Sequence, residues 1–176
     1  MISSYKSPKP YPFMPNDGKI LYVGAGNQFI QAAKKIAEDS GCVKQSTGAV
    51  IVIENEIVAT GSNAGLRVEI CPRITEKCAT GTGYHHCQET CKQEGHAEKV
   101  ASKAFLNQLI NQSTPHQSLR SDAGQANQLS PSLYLWGHWW CCEPCWDAMR
   151  EAGINTVYLI ENATELFDLD ASKQKE

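Results

Sequence analysis

Apolar and polar residues alternate along the chain with two different periods, which predicts a mixture of helices and strands. Residues 27–39 carry apolar side chains at helical spacing and Gly41 follows them, so this segment predicts an amphipathic helix. Residues 49–53 form a β-branched run, residues 54–55 are turn formers, and residues 57–60 form a second run. This pattern predicts an antiparallel hairpin.

The second half of the chain continues the alternation. Residues 96–110 place apolar side chains on one face of a predicted helix, and Leu109 extends that face. The pattern then predicts a strand over 133–136, a helix over 145–152 that Gly153 closes, and a buried strand over 156–160. Strands that alternate with helices in this order are typical of the α/β class.

The chain has 176 residues, which is the length of one compact domain. We predict a proline-rich arm over residues 1–20, a single domain over residues 21–168 and a polar tail over residues 169–176. Two segments of the domain lack periodicity. Residues 62–95 form a long loop, and a loop of this length in a compact domain requires either a stabilising link within it or a function. The polar residues 111–131 predict an exposed insertion.

Composition narrows the class of protein. A hydrophobic share of 41% is ordinary for a globular protein, and no apolar run approaches the ~18 residues that cross a bilayer, so we expect no membrane partner. The first residues lack the apolar segment of a secretory signal, which predicts a cytoplasmic protein. The net charge of −3 argues against a nucleic-acid partner. Eight cysteines in a reducing compartment favour metal binding over disulfides.

One histidine, two cysteines and a glutamate have the spacing of a catalytic zinc site. His96 and Glu98 open one predicted helix, and Cys142 and Cys145 open another. An imidazole and two thiolates leave the fourth position of a tetrahedral Zn²⁺ open for water, whose pKa the metal lowers to about 7. Glu98 can reach that water and move its protons. The positive ends of both helices favour the thiolates.

These motifs resemble the H-x-E and P-C-x-x-C zinc signature of the cytidine and deoxycytidylate deaminase family. Residues 46–52 and 61–65 are similar to that family's first strand and substrate loop, and the long Cys-rich loop is most similar to the deoxycytidylate branch. The resemblance implies a three-layer α/β/α cytidine-deaminase-like sandwich with a mixed central sheet, and a homo-oligomer. It also implies hydrolytic deamination of a small-molecule cytosine nucleotide, dCMP to dUMP plus ammonia, or of another amino-bearing ring.

The sequence departs from the second half of that signature, the P-C-x-x-C motif. Cys141 stands where the family has proline, so a second register, with Cys145 as the first ligand, would put Ala148 in the place of a thiolate. The chemistry therefore favours Cys142 with Cys145. Residues 136–140 replace small and hydroxyl-bearing residues of the family and make the pocket wall unusual.

Candidate substrate contacts follow from the resemblance and from charge. The resemblance implies that the Asn63 side chain contacts the sugar or base, and that the Ala97 backbone binds the pyrimidine ring. Lys44, Arg67 and Arg73 flank the Asn63 loop and are candidates to bind one phosphate. Trp140, beside the zinc ligands, can stack on a base, although tryptophans in such positions more often belong to the core.

A second, structural zinc is the other metal prediction. Its candidate ligands are Cys42, Cys71, Cys78, His86, Cys87, Cys91 and Glu94. Cys87 and Cys91 can come from one turn, and Cys71 with either Cys78 or Cys42 would complete a tetrahedral site. The resemblance instead implies Cys42, Cys71, His86 and Glu94. A metal here would stabilise a loop that has little core of its own.

Two other classes of protein compete with an enzyme of this kind. Residues 21–29 imitate the start of a dinucleotide-binding unit, but Phe29 replaces its third glycine and no acidic residue follows at the ribose-binding distance. A non-catalytic zinc module would explain the cysteines but gives no role to Glu98.

Overall fold

The computed structural model describes residues 2–3, 11–112 and 130–168. These ranges contain six strands and six helices. The strands are β1 (Ile2–Ser3), β2 (Lys19–Val23), β3 (Gly48–Ile53), β4 (Glu56–Ser62), β5 (Ser132–Trp136) and β6 (Thr156–Ile160). The helices are α1 (Gln28–Glu38), α2 (Pro72–Thr75), α3 (Tyr84–Glu89), α4 (Ala97–Gln112), α5 (Glu143–Glu151) and α6 (Ala163–Phe167).

The described strands form one mixed sheet in the order β1-β2-β6-β5-β3-β4. Strands β2, β6 and β5 run parallel, whereas β3 is antiparallel to both β5 and β4. The α/β class and the mixed sheet are therefore confirmed. The dinucleotide-binding alternative is wrong, because the strand that follows α1 is β3, which neither neighbours β2 nor runs parallel to it.

Helices cover both faces of the sheet, as strand β3 makes clear. Val50 and Val52 pack with α1 on one face. Ala49 and Ile51 point to the opposite face and join a larger core to which α4 and α5 contribute. Alternate residues of a strand point to opposite faces, so one buried strand connects both cores and the fold has three layers.

The best-patterned segments match their predictions. Helix α1 begins after Asn27, whose side chain caps the backbone N–H groups of Phe29 and Ile30. The β3-β4 hairpin turns at Glu54 and Asn55, with φ values of 50° and 65°. Two successive left-handed residues match the right-handed twist of a hairpin. Strand β6 has the predicted bounds, and β5 begins one residue earlier than predicted.

Other segments differ from the sequence predictions. The loop over 62–95 contains the short helices α2 and α3, whose few residues give no readable period. Leu109 is 44% exposed and does not extend the buried face of α4, because residues 107–110 at the end of that helix are all exposed. Most of the insertion predicted over 111–131, and the tail over 169–176, lie outside the described residues. The domain boundaries, self-association and cytoplasmic location stay predictions.

Helix α4 lies directly against β4 at Gly61. A Cβ atom there would overlap the backbone of Ala97 and Ala101. We therefore expect Gly61→Ala to lower the free energy of unfolding by about 3 kcal/mol, since overpacking against backbone cannot relax by a rotamer change. Urea titration would measure this. Gly26→Ala, where nothing lies within 4 Å of the added carbon, is the control and should change stability by less than ~0.5 kcal/mol. Equal effects would contradict the close packing.

Candidate active site

Two helix N-termini meet at the site. His96 directly precedes α4, and its carbonyl oxygen accepts the backbone N–H of Val100 at 3.0 Å. Cys142 is the N-cap of α5, and its carbonyl oxygen accepts the backbone N–H groups of Cys145 and Trp146, each at 3.0 Å. The unpaired N–H groups and positive dipole ends of both helices therefore face the same small volume.

The three predicted metal ligands form a triangle with equal sides. The distance from His96 Nδ1 to Cys142 Sγ is 3.4 Å, that from Nδ1 to Cys145 Sγ is 3.4 Å, and that between the two sulfur atoms is 3.4 Å. Tetrahedral zinc, with bonds of about 2.3 Å to sulfur and about 2.1 Å to nitrogen, separates its ligand atoms by about 3.5 to 3.8 Å. The triangle fits zinc, and three protein ligands leave one position open. Cys142 and Cys145 converge here, as the favoured register predicts.

The two thiols are electrostatically unequal. A hydrogen bond with Cys145 lowers the pKa of Cys142, burial opposes this effect, and the hydrogen bond with His96 adds to it. The hydrogen bond with Cys142, together with burial, raises the pKa of Cys145. Burial lowers the pKa of His96, but its hydrogen bond to Cys142 and the charge of Glu98 outweigh that effect and raise it overall. A thiolate next to an imidazole is the donor set that zinc prefers.

Glu98 is buried beside the triangle, with 4% of its surface exposed. Burial raises the pKa of its carboxyl group, against the lowering effect of the His96 charge. A hydrogen bond with the Cys141 thiol also lowers the pKa of Glu98. Burial in turn raises the pKa of Cys141 well above the usual range, so that this thiol stays protonated and donates. Sequence patterns gave no role to Cys141.

His96, Cys142 and Glu98 line a cavity with about 730 Å³ of open space, part of it continuous with solvent, whereas Cys145 is buried and does not line it. Arg73 also lines it, and its guanidinium lies 4.5 Å from the ring centroid of Tyr84. The Tyr84 ring packs edge-on against His96, with centroids 4.4 Å apart. Burial raises the pKa of Tyr84, so its hydroxyl stays protonated. Tyr84 was missed by sequence reasoning, because α3 shows no period.

Asn63 lines the cavity but uses its amide to hold the cavity wall. Its Oδ1 accepts the backbone N–H of Thr47 at 2.9 Å, and its Nδ2 donates to the carbonyl oxygen of Gln45 at 2.9 Å. One N–H and one lone pair of the amide are left for a ligand. Ala97 is fully buried at the start of α4. Contact of Asn63 and Ala97 with a substrate stays a prediction.

The predicted phosphate-binding cations separate into two groups. Arg73 and Lys44 line the cavity. Arg67 is exposed and does not line it. Arg73 Nε donates to the carbonyl oxygen of Thr82 at 2.9 Å and Lys44 Nζ donates to that of Cys78 at 3.2 Å, so both cations are held in place.

Trp140 and His138 form another wall of the cavity. Trp140 is 6% exposed and belongs to the core, yet one part of it faces the cavity. The His138 ring packs edge-on against it, with centroids 5.2 Å apart. Trp140 therefore contributes both to the core and to the cavity wall.

The seven candidates for a second metal do not come together as one site. Cys42, Cys71, Cys87 and Cys91 line the cavity, and burial, together with the proximity of Cys42 and Cys71, raises the pKa of Cys87 and of Cys91. Cys78 and His86 instead form a group with Glu76, in which all ligand atoms lie within 4.8 Å of one another. The described residues form only this group and the His96 triangle at such spacing. Glu94 is exposed and belongs to neither group, and Glu76 was not among the candidates.

Within residues 11–112 and 130–168, no helix has the length and apolar character needed to cross a membrane.

Comparison with protein-family models and with curated proteins finds no match. Among solved structures, the apo dCMP deaminase of the cyanophage S-TIM5 is similar, at 20% identity and a TM-score of 0.42, covering 83% of this chain and 87% of that one. The same enzyme in complex with dCMP and dUMP is similar at 18% identity and a TM-score of 0.42, covering 81% and 88%. Both are distant matches in which most aligned residues differ.

Proposed function

We propose that this chain is a zinc-dependent hydrolytic deaminase of a cytosine nucleotide, with dCMP as its substrate. The observation that carries the proposal is the 3.4 Å triangle of His96, Cys142 and Cys145 at a cavity that His96, Cys142 and the buried Glu98 line. A closed structural zinc site would have a fourth protein ligand and no need for a buried carboxyl group. The H-x-E and C-x-x-C spacing of the sequence supports the same chemistry.

The proposed reaction replaces an amino group of the ring by oxygen from water and releases ammonia. Zinc held by His96, Cys142 and Cys145 would lower the pKa of a water molecule and make it a nucleophile at neutral pH. The Glu98 carboxylate takes a proton from the water, and delivers protons to the ring nitrogen and to the departing amino group. Burial raises the pKa of Glu98, so the carboxyl group can hold a proton between these transfers. Cys141 orients Glu98 by its hydrogen bond.

The cavity also suits a nucleotide. Arg73 and Lys44 place two cations on its wall in a chain of net charge −3, which favours one small anion over a long polyanion. The backbone carbonyls of Thr82 and Cys78 fix these cations, so a phosphate would bind without much loss of side-chain freedom. A phosphate bound by charge-assisted hydrogen bonds would orient the base toward Glu98.

We expect dCMP to be deaminated with a kcat/KM about 10- to 100-fold above that of deoxycytidine, the range that charge-assisted hydrogen bonds supply. Arg73→Gln should remove most of this ratio and leave deoxycytidine turnover nearly unchanged. Ammonia release from dCMP, CMP, dCTP, deoxycytidine, cytosine, guanine and a tRNA adenosine substrate would measure it. Arg150→Gln is the matched control, since Arg150 forms an exposed ion pair with Asp17.

Two outcomes would contradict the nucleotide assignment. If deoxycytidine, a free base or the tRNA substrate is turned over best, the phosphate is not recognised and the enzyme acts on another amino-bearing ring. If Arg67→Gln removes the preference for dCMP and Arg73→Gln does not, the phosphate binds outside the cavity described here.

We also propose a second zinc, bound by Glu76, Cys78 and His86. Glu76 Oε2 lies 2.8 Å from His86 Nε2, and these atoms with the Cys78 sulfur lie within 4.8 Å of one another. The metal would join the end of α2 to α3, two helices of four and six residues that have little core of their own. The same segment carries Arg73 and Tyr84, so the metal would stabilise one wall of the cavity.

Elemental analysis is expected to give near two zinc ions per chain for the parent and near one for Cys78→Ser and for His86→Gln, because each variant loses one ligand of a three-ligand site. His85→Gln is the control, since the His85 ring contacts the His86 ring at a tilt of 41° but lies outside the ligand group. Loss of one zinc in Cys42→Ser or Cys71→Ser, with two retained in Cys78→Ser, would assign the second metal to the thiols around the cavity instead.

A further inference from the structure

His138 is a polar residue of the cavity to which the proposed reaction assigns no role. It follows Gly137, whose φ of 91° lies in the left-handed region and whose missing Cβ lets the chain pass against the carbonyl oxygen of Ser46. Gln45 Nε2 donates to the carbonyl oxygen of Gly137 at 2.6 Å. The turn that carries His138 is therefore fixed from both sides.

The hydrogen bonds of the His138 ring determine which nitrogen carries its proton. The backbone N–H of Trp139 donates to His138 Nδ1 at 3.1 Å. Nδ1 therefore acts as an acceptor, and the proton of the neutral ring is on Nε2. Burial lowers the pKa of His138 to about 3, the charges of His96 and Arg73 lower it further and the charge of Asp168 opposes them only in part, so the ring is neutral at physiological pH.

The position of the ring leaves Nε2–H available to the cavity. His138 lines the cavity together with Glu98 and Cys142, and Trp140 supports the ring edge-on. Within residues 11–112 and 130–168, the hydrogen bond from Trp139 is the one that His138 forms with another residue. A donor held in place without an acceptor recognises an acceptor on a ligand.

The charge of the donor indicates which acceptor it recognises. A neutral imidazole adds no positive charge for a phosphate, and the cations for that group are Arg73 and Lys44. A neutral N–H is complementary to a carbonyl oxygen and leaves an amino group unpaired. Cytosine offers one carbonyl oxygen, O2, in addition to the ring nitrogen that Glu98 serves.

We propose that His138 is a specificity-determining residue, whose Nε2–H donates a hydrogen bond to the carbonyl oxygen of the bound pyrimidine. This inference rests on the proposed function, because it takes a cytosine ring as the ligand. It gives the unusual residues 136–140 a chemical purpose, since they place a fixed donor where the ring lies.

The test compares dCMP with 2-thio-dCMP, in which sulfur, a weaker acceptor, replaces O2. The parent enzyme should favour dCMP by about tenfold in kcat/KM, the size of one neutral hydrogen bond. His138→Phe keeps a planar ring without the donor and should bring the ratio near one. His138→Gln can place an amide N–H near the Nε2 position and should restore part of the ratio. His85→Ala, an exposed histidine outside the cavity, should leave the ratio at the parent value.

The ratio is measured within each variant, so partial misfolding does not affect it. If His138→Phe slows both substrates equally and keeps the parent ratio, His138 is a structural residue and the inference is wrong. If the zinc-loaded parent deaminates no cytosine compound, the proposed function fails first, and the assignment of His138 falls with it.

Discussion

Replacing Glu98 by glutamine is expected to lower kcat for dCMP by about 10⁴ while the chain keeps its zinc and its fold. A general acid-base group contributes about 10² to 10⁴ in rate, and one that serves several proton transfers belongs at the upper end. Glutamine has the shape of glutamate but accepts no proton at neutral pH. The free energy of unfolding should not fall, because the variant no longer has a carboxyl group to bury.

Stopped-time assays of ammonia release, with zinc content and urea unfolding on the same preparation, would measure this effect. Glu143→Gln is the matched control, because Glu143 is an exposed acid in the first turn of α5, next to the ligand Cys142. It should retain activity within a factor of a few. Comparable activity in Glu98→Gln and the parent would show that Glu98 is a buried structural acid and takes no part in proton transfer.

Replacing Cys142 by serine is expected to remove the catalytic zinc and to lower turnover by at least about 10³, because activation of water by the metal supplies several kcal/mol of the barrier reduction. Cys142 is the thiol whose pKa is lowered, chiefly by its hydrogen bond with Cys145. A serine hydroxyl is not deprotonated at neutral pH and is a poor zinc ligand. The measurement is zinc per chain after dialysis against a weak chelator, together with ammonia release.

Cys141→Ser is the control for this prediction. Cys141 is the adjacent thiol, but it is fully buried, contacts Glu98 and lies outside the triangle. The variant should keep its zinc, and its serine can still donate a hydrogen bond to Glu98. Loss of zinc in Cys141→Ser with retention in Cys142→Ser would show that Cys141, and not Cys142, is the zinc ligand.

Sequence patterns predicted the parts of this protein that depend on local periodicity. The α1 helix, the β3-β4 hairpin and the β6 strand each carry a signal that a few neighbouring residues determine. The metal triangle could also be predicted from the sequence, because His96 and Cys142 each open a helix and zinc chemistry restricts which residues can share a site.

The rest depends on tertiary packing that leaves no local signal. Arg67 and Arg73 have the same chemistry and flank the same loop, but only Arg73 is turned into the cavity, where it packs on Tyr84. The role of Cys141 depends on a contact with Glu98, 43 positions away by their residue numbers. Glu76 was missed because a single exposed acid becomes a candidate ligand only when His86 folds back against it.

Deamination of dCMP in water labelled with oxygen-18 tests the proposed chemistry most directly. The zinc-loaded parent should release ammonia and form dUMP that carries one labelled oxygen per molecule, since the oxygen that replaces the amino group comes from solvent. Zinc-depleted protein should form neither product until zinc is restored. Release of ammonia by fully zinc-depleted protein at the parent rate, or no release by protein that holds zinc at His96, Cys142 and Cys145, would contradict the proposal.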